Sequence, residues 1–153
     1  MRLNQASDFA LRVLMFVAAN ESDLSKIDDI SKRYNISRAH LMKIVNKLAR
    51  AGLLQTLRGR NGGLRLNSPP EEIRIGDVVR AIEEDFALVE CMRQNENKCI
   101  ITPACHLTGI FAEALAQFMS VLDRYTLADI TQNRIELQNI LFARVVAREK
   151  STE

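Results

Sequence analysis

The chain has 153 residues, 47% of them hydrophobic and 26% charged, which is enough apolar content for a packed core and too much for wholesale disorder. No apolar run approaches the roughly 18 residues of a transmembrane helix, and three cysteines, an odd number, argue against a disulfide framework. The net charge of +2 conceals a split: residues 1–70 carry 12 Lys and Arg against 5 Asp and Glu, and residues 71–153 carry 9 against 14. This is the pattern of a polyanion-binding module joined to a part that does not touch the polyanion.

In residues 1–20, Leu3, Ala6, Ala10, Val13, Leu14 and Val17 recur at helical spacing and predict an amphipathic helix. Asp8 and Arg12 lie off that stripe, spaced for an i,i+4 ion pair. They also interrupt any signal-peptide core, so the protein reads as cytoplasmic with its thiols reduced. Residues 26–34 (KIDDISKRY) predict a short helix with Ile27 and Ile30 inward. After a turn at Asn35 and Ile36, Ser37 is a good N-cap for a helix over 38–50 with Leu41, Ile44, Val45 and Leu48 inward, ended by Gly52. The pair is a helix–turn–helix whose outer face presents Arg38, His40, Lys43 and Lys47.

A solvated helical hairpin would look similar, and the next residues separate the two. LLQTL (53–57) predicts a strand, RGRNGG (58–63) a turn, and Leu64 to Leu66 a return strand with Arg65 outward. A hairpin directly after the second helix is a wing. Its glycines permit positive φ and close approach to a surface, and Arg58 and Arg60 at its tip reach a phosphate or a minor groove. The predicted DNA-contacting set is therefore Ser37, Arg38, His40, Lys43, Lys47, Arg58, Arg60, Asn61 and Gly62. Pro69 and Pro70 close the module.

Residues 73–84 predict a helix with Ile75, Val78, Val79 and Ile82 packed back on the winged module. Farther on, Leu107, Ile110, Phe111, Ala114, Leu115, Phe118, Val121, Leu122 and Tyr125 form a wide stripe on one long helix. A partner helix from a second copy is the economical cover for so much apolar surface, with burial within the chain as the alternative. The tail from 132 to 153 reads as helical at first, fraying at REKSTE. The predicted fold is thus mainly α with a small β-hairpin: a winged helix–turn–helix domain plus a long dimerisation helix, as a homodimer. Its divisions are residues 1–70, a linking helix and cysteine loop over 71–106, and dimerisation and C-terminal helices over 107–153.

All three cysteines fall within CMRQNENKCIITPAC, as Cys91, Cys99 and Cys105. The C-x7-C-x5-C spacing is wider than the C-x2-C pairs of zinc ribbons, and His106, adjacent to Cys105, is badly placed to complete a zinc site. A loop with three thiolates can instead wrap an iron–sulfur cluster that lacks a fourth thiolate. Its odd iron, on an oxygen, a nitrogen or nothing, is where a small reactive ligand would attack. On the residues alone, zinc, redox-sensing thiols and no site at all remain alternatives. No His–Asp or His–Glu constellation accompanies the thiols, so the chain does not read as an enzyme.

"SDFALRVLMF", "ISRAHLMKIVNKLARAGLL", "RGRNGGLRL", "IRIGDVVRAIE", "ITPACHL" and "DRYTLADI" together resemble, over nearly the full length, the cysteine-bearing iron–sulfur winged-helix regulators that include NsrR, IscR and RirA. The likeness is greatest to the NsrR-like, nitric-oxide-sensing repressors. The resemblance implies a homodimer on a palindromic double-stranded operator, an iron–sulfur cluster (4Fe–4S rather than 2Fe–2S) on Cys91, Cys99 and Cys105, and nitric oxide as the signal. In NsrR-like proteins the fourth ligand is an Asp of the other subunit's N-terminal helix, and Asp8 stands at that place. In IscR-like proteins it is a His three residues after the last cysteine, where this chain has Thr108. The seven-residue gap between the first two cysteines matches RirA-like iron regulators, so an iron-responsive or redox-responsive regulator of the same fold is the alternative.

Overall fold

The computed structural model describes residues 3–20, 24–93 and 95–142. Helix α1 (Gln5–Ala19) begins where the Asn4 side chain accepts the Ser7 N–H at 2.9 Å. It buries Ala10, Val13, Leu14 and Phe16 and lies at the centre of the core. Helix α2 (Ile27–Tyr34) contributes a fully buried Ile30 and stops at Asn35, whose φ of 53° is left-handed, a conformation Asn tolerates better than most residues. Ser37 then caps α3 (Arg38–Arg50), its hydroxyl accepting the His40 N–H at 3.3 Å. Leu41, Ile44, Val45 and Leu48 are buried, as their spacing predicts, and Gly52 ends the run with φ 73°.

Strands β1 (Leu54–Leu57) and β2 (Gly63–Leu66) pair antiparallel, with Leu54 opposite Leu66 and Leu57 opposite Gly63. Ser25 adds an edge: its N–H donates to the Leu64 carbonyl at 2.9 Å, and the Leu64 N–H donates to the Ser25 carbonyl at 2.8 Å. The wing is thereby tied to the segment entering α2.

The helix expected over 73–84 is shorter, α4 (Ile75–Ile82). At its start the Ile75 N–H donates to the Tyr125 carbonyl at 2.9 Å and the Ile73 carbonyl accepts the Leu127 N–H at 2.8 Å, holding Ile73 and Arg74 extended against residues 125–127. At its end Glu83 turns back to α1, accepting hydrogen bonds from the Asn4 N–H and Nδ2 at 2.8 Å and from the Ser7 hydroxyl at 2.7 Å. The bond from the Asn4 N–H satisfies a backbone donor that a helix N-terminus otherwise leaves open.

Helix α5 (Leu107–Asp123) follows, ending before Tyr125. It meets α4 closely: a Cβ on Gly76 would lie 1.9 Å from Asp123 Oδ1, and Arg80 grips the Asp123 carboxylate with its Nη1 and Nη2, at 2.7 and 2.5 Å. The Arg80 hydrogen bond holds the Asp123 carboxyl below its ordinary value. Helix α6 (Leu127–Ile130), which the periodicity does not reveal, is set by a capping box between Thr126 and Asp129. Helix α7 (Arg134–Phe142) returns to α1, burying Leu141 and setting the Phe142 ring edge-on to Phe16 at 4.9 Å. The expected fraying at REKSTE lies outside the described residues.

Within α5 only Met119 is buried. Ile110 is 60% exposed and Val121 42%, while Phe111, Leu115 and Phe118 are half-covered along a cleft of ≈ 580 Å³ shared with Leu3, Phe86 and Leu88. The described residues do not cover this stripe by themselves.

Candidate DNA interface and cysteine loop

With Leu41, Ile44, Val45 and Leu48 buried, helical geometry turns Ala39, Met42, Lys43, Asn46 and Arg50 outward, and all five are exposed. The flanking cations are engaged by carboxylates of the same chain. Arg38 Nε lies 2.9 Å from Asp28 Oδ1, and Lys47 Nζ lies 2.6 Å from Glu84 Oε1. The Lys47 hydrogen bond holds the Glu84 carboxyl below its ordinary range. Both pairs are solvent-accessible and so contribute little to stability, which leaves them exchangeable for phosphate oxygens. His40 departs from its expected outward placement: it is half-buried, its ring edge-on to Phe9 at 5.2 Å. Ser37 is committed to its cap.

In the wing, Arg58, Arg60 and Asn61 are exposed. The glycines there act differently from expectation. Positive φ falls at Gly59 (105°), not at Gly62 or Gly63. Those two are required by close approach: a Cβ on Gly62 would lie 2.0 Å from the Leu57 carbonyl oxygen, and one on Gly63 would lie 2.9 Å from Leu24 Cβ and from the Ser25 carbonyl oxygen. The Lys26 ammonium also donates to the Gly62 carbonyl. Gly62→Val is therefore expected to distort the hairpin while leaving the helical core folded. Circular dichroism should keep its helical signal, and DNA affinity should fall at least tenfold. Wild-type affinity would show that the wing does not need this turn.

Cys91, Cys99 and Cys105 are half-buried free thiols on the segment between α4 and α5. Cys91 and Cys105 belong to or abut short 3-10 turns, Glu90–Met92 and Thr102–Ala104. Asn97 Oδ1 accepts the Cys99 N–H at 3.0 Å, the Thr102 hydroxyl donates to the Cys99 carbonyl at 2.8 Å, and the Thr108 hydroxyl donates to Cys91 Sγ at 3.0 Å. Asp85 and Arg93 brace the loop at 2.5 Å. Thr108, expected only as the absence of a histidine, is thus a sulfur partner. Three soft thiolates on one loop are the donor chemistry an iron–sulfur group takes, so the residue set fits one. Among the described residues, however, no three His, Cys, Asp or Glu side chains stand together as a metal site. Asp8 is exposed on α1 and pairs with Arg12 Nη2 at 2.7 Å, whose guanidinium also lies over the Phe9 ring.

Residues 3–133 match the Rrf2 family, described as iron-dependent transcriptional regulators. The chain belongs to the Rrf2 family. It is 45% identical over 142 residues to the HTH-type transcriptional regulator NsrR of Bacillus subtilis (strain 168), a match covering 92% of this chain and 97% of the relative. Of the solved Rrf2-like structures it resembles, CymR, the global cysteine regulator of B. subtilis, has a TM-score of 0.68 at 25% identity, covering 87% of this chain and 98% of CymR. IscR of T. potens has a TM-score of 0.65 at 23% identity, covering 90% and 91%, a likeness of fold. The Rrf2 winged-helix fold agrees with the mainly helical, single-hairpin architecture read from the sequence, and the relatives are transcriptional regulators rather than enzymes. Among the described residues no helix is long and apolar enough to cross a membrane.

Proposed function

We propose that this Rrf2 chain is a cytoplasmic, homodimeric DNA-binding repressor whose affinity for a palindromic operator is set by an iron–sulfur group on Cys91, Cys99 and Cys105, with Asp8 of the partner subunit as fourth ligand and nitric oxide as the signal. The observation that carries the reading is placement. The chain's three cysteines stand on the segment that leaves α4, which packs on both α3 and α5, and enters α5, whose apolar face is open. When bound, the group, taken as 4Fe–4S, supplies an iron with one oxygen ligand that is open to attack by nitric oxide. The chain's part is to fix α5 against α4 through Arg80 and Asp123, so that the loop's shape bears on the spacing of two recognition helices. Half-sites about 34–36 Å apart tolerate little change in that spacing. An iron-responsive regulator is the second reading, supported by the family's iron dependence and by the C-x7-C gap.

The test is a variant with Cys91, Cys99 and Cys105 all replaced by Ala, purified without oxygen beside the wild type. The wild type should carry iron, sulfide and visible absorption. The variant should be colourless, folded, and deaf to nitric oxide in an operator-binding assay. A variant that keeps wild-type iron and response overturns the assignment.

DNA contact by Ser37, Arg38, His40, Lys43, Lys47, Arg58, Arg60, Asn61 and Gly62 remains part of this proposal. Lys47→Ala is expected to weaken binding about equally on all sequences and to flatten the slope of log affinity against log salt by about one unit. Removal of the Glu84 pair alone would leave the slope unchanged, so an unaltered slope places Lys47 off the phosphates.

A further inference from the structure

We propose that Met42 is a specificity residue that reads the 5-methyl group of thymine in the major groove, with Ala39 completing the apolar contact. The inference rests on the DNA-binding reading above. Met42 is 45% exposed on α3, one turn after Ala39 and beside Lys43. The other large exposed hydrophobics among the described residues lie on the cysteine loop, on or just after α5, on α7, or at Leu57 in the hairpin. A partner helix on α5 would cover the α5 set and leave Met42 bare.

A single exposed apolar side chain is ordinary by itself. The position is what distinguishes this one. Arg38 and Lys47, with their carboxylate partners, flank the face on which it stands, and the Ser37 cap marks the helix end that a helix–turn–helix inserts toward base edges. The thymine methyl is the apolar feature a base pair offers in the major groove. Methionine, unbranched and polarisable, adapts to such a contact. Asn46, one turn on and also exposed, supplies the amide that pairs with adenine.

The test begins with random duplexes, from which protein purified without oxygen enriches the sequences it binds. Each thymine of the enriched duplex is then replaced singly by deoxyuridine, which removes one methyl and nothing else. Wild-type protein should lose about fourfold in affinity at one or two positions per half-site, the worth of one buried methyl group. Met42→Ala should lose most of that discrimination at those positions, keeping only what Ala39 contributes. Met42→Gln, which keeps the chain length, should do the same, with unchanged thermal unfolding showing that α3 is intact. Indifference of the wild type to every replacement, or a Met42→Ala protein as sensitive as the wild type, overturns the assignment while leaving DNA binding standing. Failure to enrich any sequence overturns both.

Discussion

Replacing Phe118 with Asp is expected to split the protein into monomers and to abolish operator binding. Phe118 lies on α5, seven residues from Phe111, so the two share a face. That face lines the cleft with Leu3, Phe86, Leu88 and Leu115, and the described residues leave it half-covered. On the proposed dimer the partner's helix completes the cover, and a carboxylate there would cost several kcal/mol unless neutralised. Because Phe118 is outside the buried core of α1, α3 and α4, the subunit itself should stay folded. Light scattering reads the mass and circular dichroism the fold. Phe118→Leu should remain dimeric. An Asp variant that is a stable, fully active dimer removes the reason for placing α5 at the interface.

A second large effect is expected from mixing ligand sets across the dimer. Within one chain Asp8 is spent on Arg12, and that exposed i,i+4 pair is worth only a few tenths of a kcal/mol, so leaving it for iron costs little. One subunit carries Asp8→Ala with intact cysteines. The other carries Cys91→Ala, Cys99→Ala and Cys105→Ala with intact Asp8. The differently tagged heterodimer, isolated anaerobically, should hold one cluster with the wild-type spectrum and nitric-oxide reactivity if the ligand comes from the partner. If ligation were within one subunit, the heterodimer would match the Asp8→Ala homodimer. The comparison rests on spectrum and reactivity rather than on iron content, because an oxygen ligand binds iron less firmly than a thiolate does.

Most of the winged module is legible from local chemistry. Ser37 reads as a cap because only a side-chain acceptor meets the first helical N–H groups, and α3 runs over the residues its apolar period marks. The errors arise where distant chain decides. Ile73 and Arg74 look helical, yet the segment after α5, more than fifty residues on, claims their backbone as an extended pair. Glu83 reads as helical surface, and Asn4 and Ser7 convert it to a cap for α1. Gly62 and Gly63 are needed, but for the space that Leu57, Leu24 and Ser25 take up, which no local pattern encodes. Helix α6 is signalled by T-L-A-D, a capping box too short to show periodicity. For the candidate site, composition shows the three thiols on one loop, while the residues that shape it, Asp85, Arg93, Asn97 and Thr108, appear only in three dimensions.

In the proposed mechanism the cysteine-held group governs DNA binding in response to nitric oxide. The most direct measurement is an anaerobic titration of the wild-type protein with nitric oxide, recording visible absorption and operator occupancy on the same samples, with an iron chelator in a parallel series. Absorption and occupancy are expected to fall together as nitric oxide is added, with the chelator acting more slowly. Occupancy that stays constant while the absorption is lost would contradict it, and occupancy that follows the chelator but not nitric oxide would make iron the signal instead.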